Sequence, residues 1–573
     1  MIRSAWVWLG RCLLSLLLTL SPPLAVAAMS PGEHLQQLLV AGRQGVLPGV
    51  MIEQWTDLQR LYEQRDWQLI WSDANGAPLA MRRQQLAAWV VLSHAHGLDP
   101  RDYGVERLSY AGAGYADLPS SLALSAAGSV PQLSGEVLLN DLLMSHAFIR
   151  LAQDLSGSRL DLSQIDPLWR LPPKSLDPVA LLQRLEQGVS VDQLLSELLP
   201  RSAEYARLVT LHQELTLQAQ QPYQPAELPT GLLRAGDRHP GVVQLRDWLS
   251  HQGVLNAAES SLEEEARYTD RVAEAVRQYQ QQQGLKVDGI YGPDTRAAML
   301  TSPAQKLQQV RANLARWRAL PVSLGDRYLL VRTASFSLDL VEQGQVVERH
   351  AIITGRPARP SLSFATEVDK LILNPSWTVP FRLAVEDLLP KQQQDPDYFE
   401  RLGIEVLALQ DGHWKPVDSA SIDWSGLSRQ NFRYLLRQRP GPHNSLGRIR
   451  FGMANPHSIF LHDTPQQSLF EARSRAFSSG CIRVQGIGQL AQTLLGEASL
   501  ETQLSEETTR HLPLAQPLPV YLVYLSVWVD EQQQAHFYAD LYGTDARMNA
   551  VLGPQPQPPS PQLMQLAQKL LKK

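Results

Sequence analysis

The spacing of apolar residues along this 573-residue chain changes near Asp326. Before that point apolar side chains recur every three or four residues, as in the runs 79–96, 138–155 and 181–198, and this spacing predicts amphipathic helices. After it, short runs rich in valine, leucine and isoleucine predict strands. A helical first part followed by a β-rich second part predicts a multidomain α+β protein.

Eight strand-like runs between residues 326 and 545 predict one β-rich domain. They cover residues 328–331, 336–341, 347–353, 370–373, 448–453, 458–461, 519–529 and 536–541. Residues 381–438 interrupt this pattern with charged, partly helical sequence. We therefore expect a subdomain inserted into the β-rich domain.

A glycine-rich turn marks a smaller helical unit at residues 238–302. Apolar residues lie on one face of each of two predicted helices, which the acidic run 259–265 separates. Gly284 and the sequence Asp-Gly-Ile-Tyr-Gly-Pro-Asp-Thr at 288–295 then lead into a third helix. Glycines permit the positive backbone angles of such a turn, so we predict a three-helix domain.

The first segment of the chain has the pattern of a secretory signal. Within residues 1–28, Arg3 and Arg11 supply positive charge, a short apolar run follows, and small residues around Ala27 offer a cleavage site. An uncleaved segment that anchors the chain in the inner membrane is the alternative. At the other end, residues 551–573 predict a proline-rich tail and a short helix.

Charge and cysteine content exclude some classes of protein. Removal of residues 1–28 takes away two arginines and no acids, which changes the formal net charge from −5 to −7. This mild acidity argues against a nucleic-acid partner, which requires a basic face. Cys12 lies in the signal-like segment, so Cys481 is the only cysteine of the expected mature chain and no internal disulfide is possible.

The surroundings of Cys481 favour a reactive thiol. Ser478, Ser479 and Gly480 precede it, and His462 ends an apolar run nineteen residues upstream. Acyl transfer requires at least a nucleophile such as a thiolate, a base such as an imidazole, and N–H donors that stabilise the oxyanion. We therefore predict a cysteine nucleophile, a histidine base and, in the loop that Ser478 begins, an oxyanion pocket built from the backbone N–H groups of Gly480 and Cys481, with Ser479 as a further donor. An inert, buried thiol is the alternative.

These residues resemble the motif of the L,D-transpeptidases, whose YkuD-type catalytic domain carries a histidine, a gap and Ser-His-Gly-Cys, then an apolar residue and Arg or Asn. The residues on that pattern are His462, Ser478, Gly480, Cys481 and Arg483, while Ser479 stands where many members have a second histidine. Three further stretches resemble the large multidomain Gram-negative form: Asn-Pro-Ser-Trp-Thr-Val-Pro at 374–380, Pro-Gly-Pro-His-Asn-Ser-Leu-Gly-Arg at 440–448 and His-Asp-Thr-Pro at 462–465.

The resemblance implies an architecture for the whole chain. Residues 31–225 resemble a helical scaffold domain, and residues 238–302 resemble a peptidoglycan-binding domain. Residues 326–545 resemble the β-rich catalytic domain, with residues 381–438 in the position of its capping subdomain.

The resemblance also assigns roles around the thiol. It implies that the backbone carbonyl of Asp463 orients the catalytic histidine, with the Asp463 carboxylate as the alternative. In an extended segment, Arg483 points to the same face as Cys481, where it could hold a substrate carboxylate or form a structural salt bridge. Trp377 and Asn444 are further candidates for lining the cleft.

The activity implied is 3→3 cross-linking of periplasmic peptidoglycan through a cysteine thioester, with tetrapeptide stems as the substrate and release of D-Ala. The alternatives are a cysteine carboxypeptidase that hydrolyses the same stems and a non-catalytic wall-binding scaffold. Other wall-synthesis proteins are further candidate partners. No metal or organic cofactor is expected, because the chain has no His-Glu-x-x-His pair and no Cys/His cluster.

Overall fold

The computed structural model describes residues 31–43, 55–104, 135–221, 227–256, 266–283, 285–496, 499–506 and 508–571. The predicted signal segment 1–28, Gly284 and the acidic run 259–265 lie outside these residues. Within the described ranges, no helix is both long and apolar enough to cross a bilayer.

The first part of the chain is helical, as the apolar spacing predicts. Its helices are α1 (Pro31–Arg43), α2 (Trp55–Glu63), α3 (Ala80–Leu92), α4 (Gly135–Ser156), α5 (Leu162–Ile165), α6 (Pro178–Glu186), α7 (Val191–Ser196) and α8 (Ala203–Ala219). Asp141 of α4 is buried at their centre and accepts hydrogen bonds from the Tyr62 hydroxyl at 2.8 Å and the Trp71 N–H at 2.8 Å. Burial raises the pKa of this carboxyl group, and these donors offset part of the cost.

A small three-helix unit follows, formed by α9 (Val242–His251), α10 (Asp270–Gln282) and α11 (Pro293–Leu300). The buried Gln280 side chain organises its glycine-rich turn. Its Nε2 donates to Asp288 Oδ1 at 3.1 Å and to the Ile290 carbonyl at 3.0 Å, while its Oε1 accepts from the Gly289 N–H at 2.9 Å. Gly289 has a φ of 69°, which explains the glycine at that position.

Helix α12 (Pro303–Ala319) joins the helical units to the β-rich domain and is buried over much of its surface. Arg316 of α12 pairs with Asp545 at 2.5 Å, and both side chains are buried. A second buried network links Arg332 of the sheet to Glu204 of α8 at 3.0 Å and to Asp339 at 2.5 Å. Removing one partner of a buried pair leaves an uncompensated charge, so the Arg332–Glu204 pair fixes the helical region against the sheet.

The β-rich domain contains a nine-stranded sheet. Its strands are β1 (Arg327–Arg332), β2 (Ser337–Glu342), β3 (Gln345–Gly355), β4 (Phe364–Leu373), β9 (Ile449–Met453), β10 (Leu461–His462), β11 (Ala476–Ser478), β12 (Ile482–Val484) and β13 (Arg510–Val523). The order is β11-β3-β12-β10-β9-β4-β13-β1-β2, and because β2 also pairs with β3 the sheet closes on itself. The apolar core lies inside.

The insertion predicted at residues 381–438 folds around its own core. It contains α13 (Phe381–Leu383), a π-helical turn (Ala384–Leu388), α14 (Leu389–Gln394) and α15 (Tyr398–Arg401). A four-stranded sheet completes it, with β5 (Trp377–Thr378), β6 (Ile404–Gln410), β7 (His413–Val417) and β8 (Tyr434–Gln438) in the order β5-β8-β6-β7.

The last elements are α16 (Ile487–Leu495), α17 (Glu501–Ser505), β14 (Val527–Val529), β15 (Ala535–Phe537), α18 (Thr544–Leu552) and α19 (Pro561–Leu571). The continuous strand predicted at 519–529 is wrong, because β13 ends at Val523 and β14 pairs with β15 in a separate hairpin. Helix α19 packs on α3 and buries Ala567.

A matched pair of glycine substitutions tests how closely the helical region packs on α12. Gly157 and Gly104 have φ values of 75° and 70°, but only at Gly157 would a Cβ atom overlap a backbone carbonyl, that of Arg318. Left-handed strain costs each alanine variant about 1–2 kcal/mol, and the overlap costs Gly157→Ala roughly 1–3 kcal/mol more. Scanning calorimetry should show the lower melting temperature for Gly157→Ala. Equal shifts for the two variants would contradict this packing.

Candidate active site

The candidate site lies on one face of three neighbouring strands. Strand β10 pairs with β9 so that His462 lies opposite Arg450, and with β12 so that His462 lies opposite Arg483. Residues directly opposite one another project from the same face of a sheet, so these three side chains form a row. Cys481 lies one residue before β12, and both arginines of the row act electrostatically on its thiol, which places it beside the row.

The other face of these strands explains the placement of the row. Leu461, Ile482, Ile449 and Phe451 are buried in the core of the β-rich domain. Successive residues of a strand alternate between the two faces. Burial of these four side chains therefore turns the neighbouring His462 and the two arginines away from the core.

Two serines shape the loop that carries the thiol. Ser478 Oγ accepts from the Gly480 N–H at 3.1 Å and donates to the Cys481 carbonyl at 2.6 Å. Ser361 Oγ donates to the Gly480 carbonyl at 2.8 Å. Gly480 itself has a φ of 118°, which side-chain-bearing residues rarely adopt. The loop is thus held in one conformation before any substrate arrives.

These contacts change the predicted set of oxyanion donors. The Gly480 N–H already donates to Ser478 Oγ, so the structure does not favour it as a donor to substrate. Within the described part of the chain, the N–H groups of Ser479 and Cys481 make no hydrogen bond. These two remain as the candidate donors for an oxyanion.

His462 is buried and is oriented by its neighbour. Its Nδ1 lies 2.5 Å from the Asp463 carbonyl oxygen. A carbonyl can only accept, so Nδ1 carries the hydrogen and Nε2 keeps its lone pair. Burial is the main cause that lowers the pKa of His462 to about 4, and the charges of Arg483 and Arg450 act in the same direction. The ring is therefore a neutral base at physiological pH.

The Asp463 carboxylate has other partners. Its Oδ2 accepts from the Arg448 N–H at 2.9 Å, and its Oδ1 accepts from Gln467 Nε2 at 3.3 Å. The carboxylate thus braces the loop before β9, and the backbone carbonyl is the group of Asp463 that contacts the imidazole.

The thiol of Cys481 is half-buried and protonated in this state. Its Sγ donates to the Ser458 carbonyl at 3.5 Å, and burial raises the pKa of the thiol above its ordinary value in spite of the nearby arginines. No hydrogen bond joins Sγ to the His462 ring among the residues that the structure describes. The structure thus holds a neutral thiol near a neutral imidazole.

Among the residues that the structure describes, neither arginine of the row has an acidic partner. Arg483 donates from Nη1 to Gln466 Oε1 at 2.8 Å, and the alternative of a structural salt bridge is not formed within the described ranges. Arg450, which the sequence analysis missed, lies over the Phe460 ring at 4.6 Å. In the predicted strand 448–453, Arg450 lies between the apolar Ile449 and Phe451, and this alternation indicates that it faces away from the core.

Two residues predicted to line the cleft, Asn444 and Trp377, lie at the base of the insertion or within it. Asn444 is buried and donates to the Pro375 and Arg439 carbonyls at 3.0 and 2.8 Å, while its Oδ1 accepts from the Leu446 N–H. Trp377 packs against the core of the insertion. The structure therefore does not favour a substrate contact for Asn444, whose amide is occupied, and it makes Trp377 part of the insertion.

The insertion reaches the thiol loop through one arginine. Arg359 donates to Ser479 Oγ at 3.0 Å and pairs with Asp387 at 2.5 Å and Glu386 at 2.7 Å in the insertion. Ser479, which stands where many related motifs have a second histidine, is thus linked to the insertion through Arg359. No cluster of three or more potential metal ligands occurs in the described ranges.

Comparisons with known proteins identify three segments of the chain. Residues 326–509 match the family model of the L,D-transpeptidase catalytic domain, residues 238–299 match a model named for peptidoglycan binding, and residues 56–211 match a scaffold domain. A curated Haemophilus influenzae protein that is named as an L,D-transpeptidase is 33% identical over 247 residues. That match covers 42% of this chain and about half, 49%, of the relative.

Solved structures were also matched. An L,D-transpeptidase from Stackebrandtia nassauensis is 12% identical, with 53% of this chain and 97% of that chain covered and a TM-score of 0.19. One from Xylanimonas cellulosilytica is 15% identical, with 53% and 100% covered and a TM-score of 0.17. The assignment of the domains rests on the sequence matches.

The protonation state of the thiol can be measured by alkylation. Because burial raises the pKa of Cys481, the rate of its reaction with iodoacetamide should keep rising with pH beyond the range in which an ordinary cysteine ionises. Because no hydrogen bond joins the thiol to the ring, His462→Asn should leave this profile nearly unchanged while it abolishes turnover of substrate at neutral pH. Peptide mass spectrometry of Cys481 gives the rates. A plateau that begins below pH 7 and disappears in His462→Asn would contradict the neutral pair.

Proposed function

We propose that this protein, whose residues 326–509 constitute an L,D-transpeptidase catalytic domain, forms 3→3 cross-links between tetrapeptide stems of peptidoglycan. The observation that carries the proposal is the row of side chains beside the thiol. Cys481 lies beside the row that holds a neutral, oriented His462, and two N–H groups of its loop are available. These are the groups that acyl transfer from an amide requires.

The first half-reaction would release D-Ala. Rotation of the thiol from the Ser458 carbonyl toward His462 Nε2 allows the ring to take the proton as sulfur attacks the carbonyl of diaminopimelate. The N–H groups of Ser479 and Cys481 stabilise the oxyanion, and the loss of one such donor costs about 3–4 kcal/mol in comparable sites. The imidazolium then protonates the nitrogen of D-Ala, which leaves, and a thioester on Cys481 remains.

The second half-reaction would form the cross-link. The side-chain amine of diaminopimelate in a neighbouring stem attacks the thioester carbonyl, and His462 accepts the proton that this amine loses. Sulfur leaves as the thiolate and recovers a proton from the imidazolium, which restores the neutral pair. The chain's own groups account for every proton moved, so the mechanism uses no cofactor.

The other segments of the chain suit a substrate outside the cytoplasm. The match of residues 238–299 to a model named for peptidoglycan binding supports attachment to the wall polymer. We place the protein in the periplasm, exported by the signal-like segment 1–28 or anchored by it. The catalytic domain that we propose, residues 326–545, extends beyond the matched segment because β13 completes its sheet.

Hydrolysis of the same acyl-enzyme is the second candidate activity. Cys481 is only partly buried, so water as well as an amine can approach the thioester. The two outcomes differ in product: an amine acceptor gives a dimer, and water gives a tripeptide.

Purified protein incubated with a disaccharide tetrapeptide separates these outcomes. We expect dimers linked between two diaminopimelate residues, identified by tandem mass spectrometry, and no product from Cys481→Ala, which lacks the nucleophile but loses little packing. Cys481 is the only thiol of the expected mature chain, so this variant removes every thiol that could act. Tripeptide without dimer would establish the hydrolase, and dimers from Cys481→Ala would refute the assignment of the nucleophile.

A further inference from the structure

Arg450 and Arg483 flank His462 on the two neighbouring strands. Adjacent strands lie about 4.8 Å apart, so the Cα atoms of the two arginines are separated by roughly 10 Å across the histidine. Both cations act electrostatically on the Cys481 thiol and on His462. Both side chains are partly buried.

Part of the hydrogen-bonding capacity of this pair is unfilled. The Nε–H groups of Arg450 and Arg483 are buried and have no partner, and neither guanidinium forms an ion pair within the described ranges. The buried Arg332, by contrast, is neutralised by Glu204 and Asp339. A buried donor without a partner is costly, so two of them beside a nucleophile indicate a place that an anion fills.

Activation of the thiol is only part of what the two cations can do. Both of them lower the pKa of Cys481, but burial outweighs them and the pKa stays raised. Their guanidinium groups are also suited to a carboxylate, which accepts two parallel hydrogen bonds from one arginine and neutralises its charge.

We propose that Arg450 and Arg483 form one carboxylate subsite that holds the terminal carboxylate of the acyl-donor peptide. This inference rests on the proposed function, because it takes the donor to be a stem that ends in D-Ala. The terminal carboxylate is attached to the carbon bonded to the scissile nitrogen, so it is the anion nearest the attacked carbonyl. By holding this carboxylate, Arg450 places the attacked carbonyl over the sulfur.

A β-lactam provides a probe with the same arrangement of groups. In a carbapenem, the carboxylate is also attached to the carbon bonded to the nitrogen of the attacked amide. A carbapenem and its carboxylate methyl ester therefore differ only in the charge that the subsite would recognise. Acylation of Cys481 by each compound can be followed by intact-protein mass spectrometry.

We expect wild-type protein to react at least roughly tenfold faster with the acid than with the ester. A rate ratio of this size corresponds to the free energy of one hydrogen bond to a charged group. Arg450→Gln should slow the acid by a similar factor and leave the ester rate unchanged. Arg450→Lys keeps the charge but loses the planar fork, so its rate with the acid should lie between those of wild type and Arg450→Gln. Lys370→Gln, which removes a cation from the adjacent strand β4, should change neither rate.

Each outcome decides between the subsite and a structural role. Equal rates for acid and ester in the wild type would overturn the subsite without any variant. Equal slowing of both compounds in Arg450→Lys would show that Arg450 only supports the fold. Reaction of neither compound with Cys481 would overturn the proposed function and the subsite with it, whereas selective loss of the acid rate supports both.

Discussion

The register of three short strands is the constraint on which the site depends. Strand β10 has only two residues, and its pairing with β9 and β12 sets His462 between Arg450 and Arg483. A slip of one residue would turn the whole row into the core. The buried side chains of Leu461, Ile482 and Phe451 resist that slip, since each exposed core side chain costs about 1.5–3 kcal/mol. The hydrophobic core thus determines the position of the polar site.

Burial then sets the chemistry of the row. It lowers the pKa of His462 and raises that of Cys481, so both groups are neutral before substrate binds. The thiol donates to the Ser458 carbonyl, and the proton can move to the ring only after the sulfur rotates. An anion between the arginines would reduce the positive potential on His462 and so favour its protonation. In this account, substrate binding and activation of the nucleophile are coupled through the two guanidinium groups.

The sequence predicted the parts of this arrangement that are local. The α+β architecture follows from the change in apolar spacing, and Cys481 and His462 follow from residue type and motif. The backbone role of Asp463 came from resemblance. Arg450 was missed because its neighbours in space come from β10 and β12, and register between strands does not follow from residue type. The hydrogen bonds of Asn444 were beyond the sequence for a similar reason: its amide donates to the Pro375 and Arg439 carbonyls, and only folding brings Pro375 close to it.

The acyl-enzyme tests the central claim most directly. When the protein is mixed with a tetrapeptide donor and quenched in acid, mass spectrometry should detect a thioester adduct equal to the donor minus one D-Ala. This adduct should lie on the peptide that contains Cys481, and release of it should quicken when an amine acceptor is present. An adduct on another residue, or cross-linked product formed without any adduct at Cys481, would contradict the account.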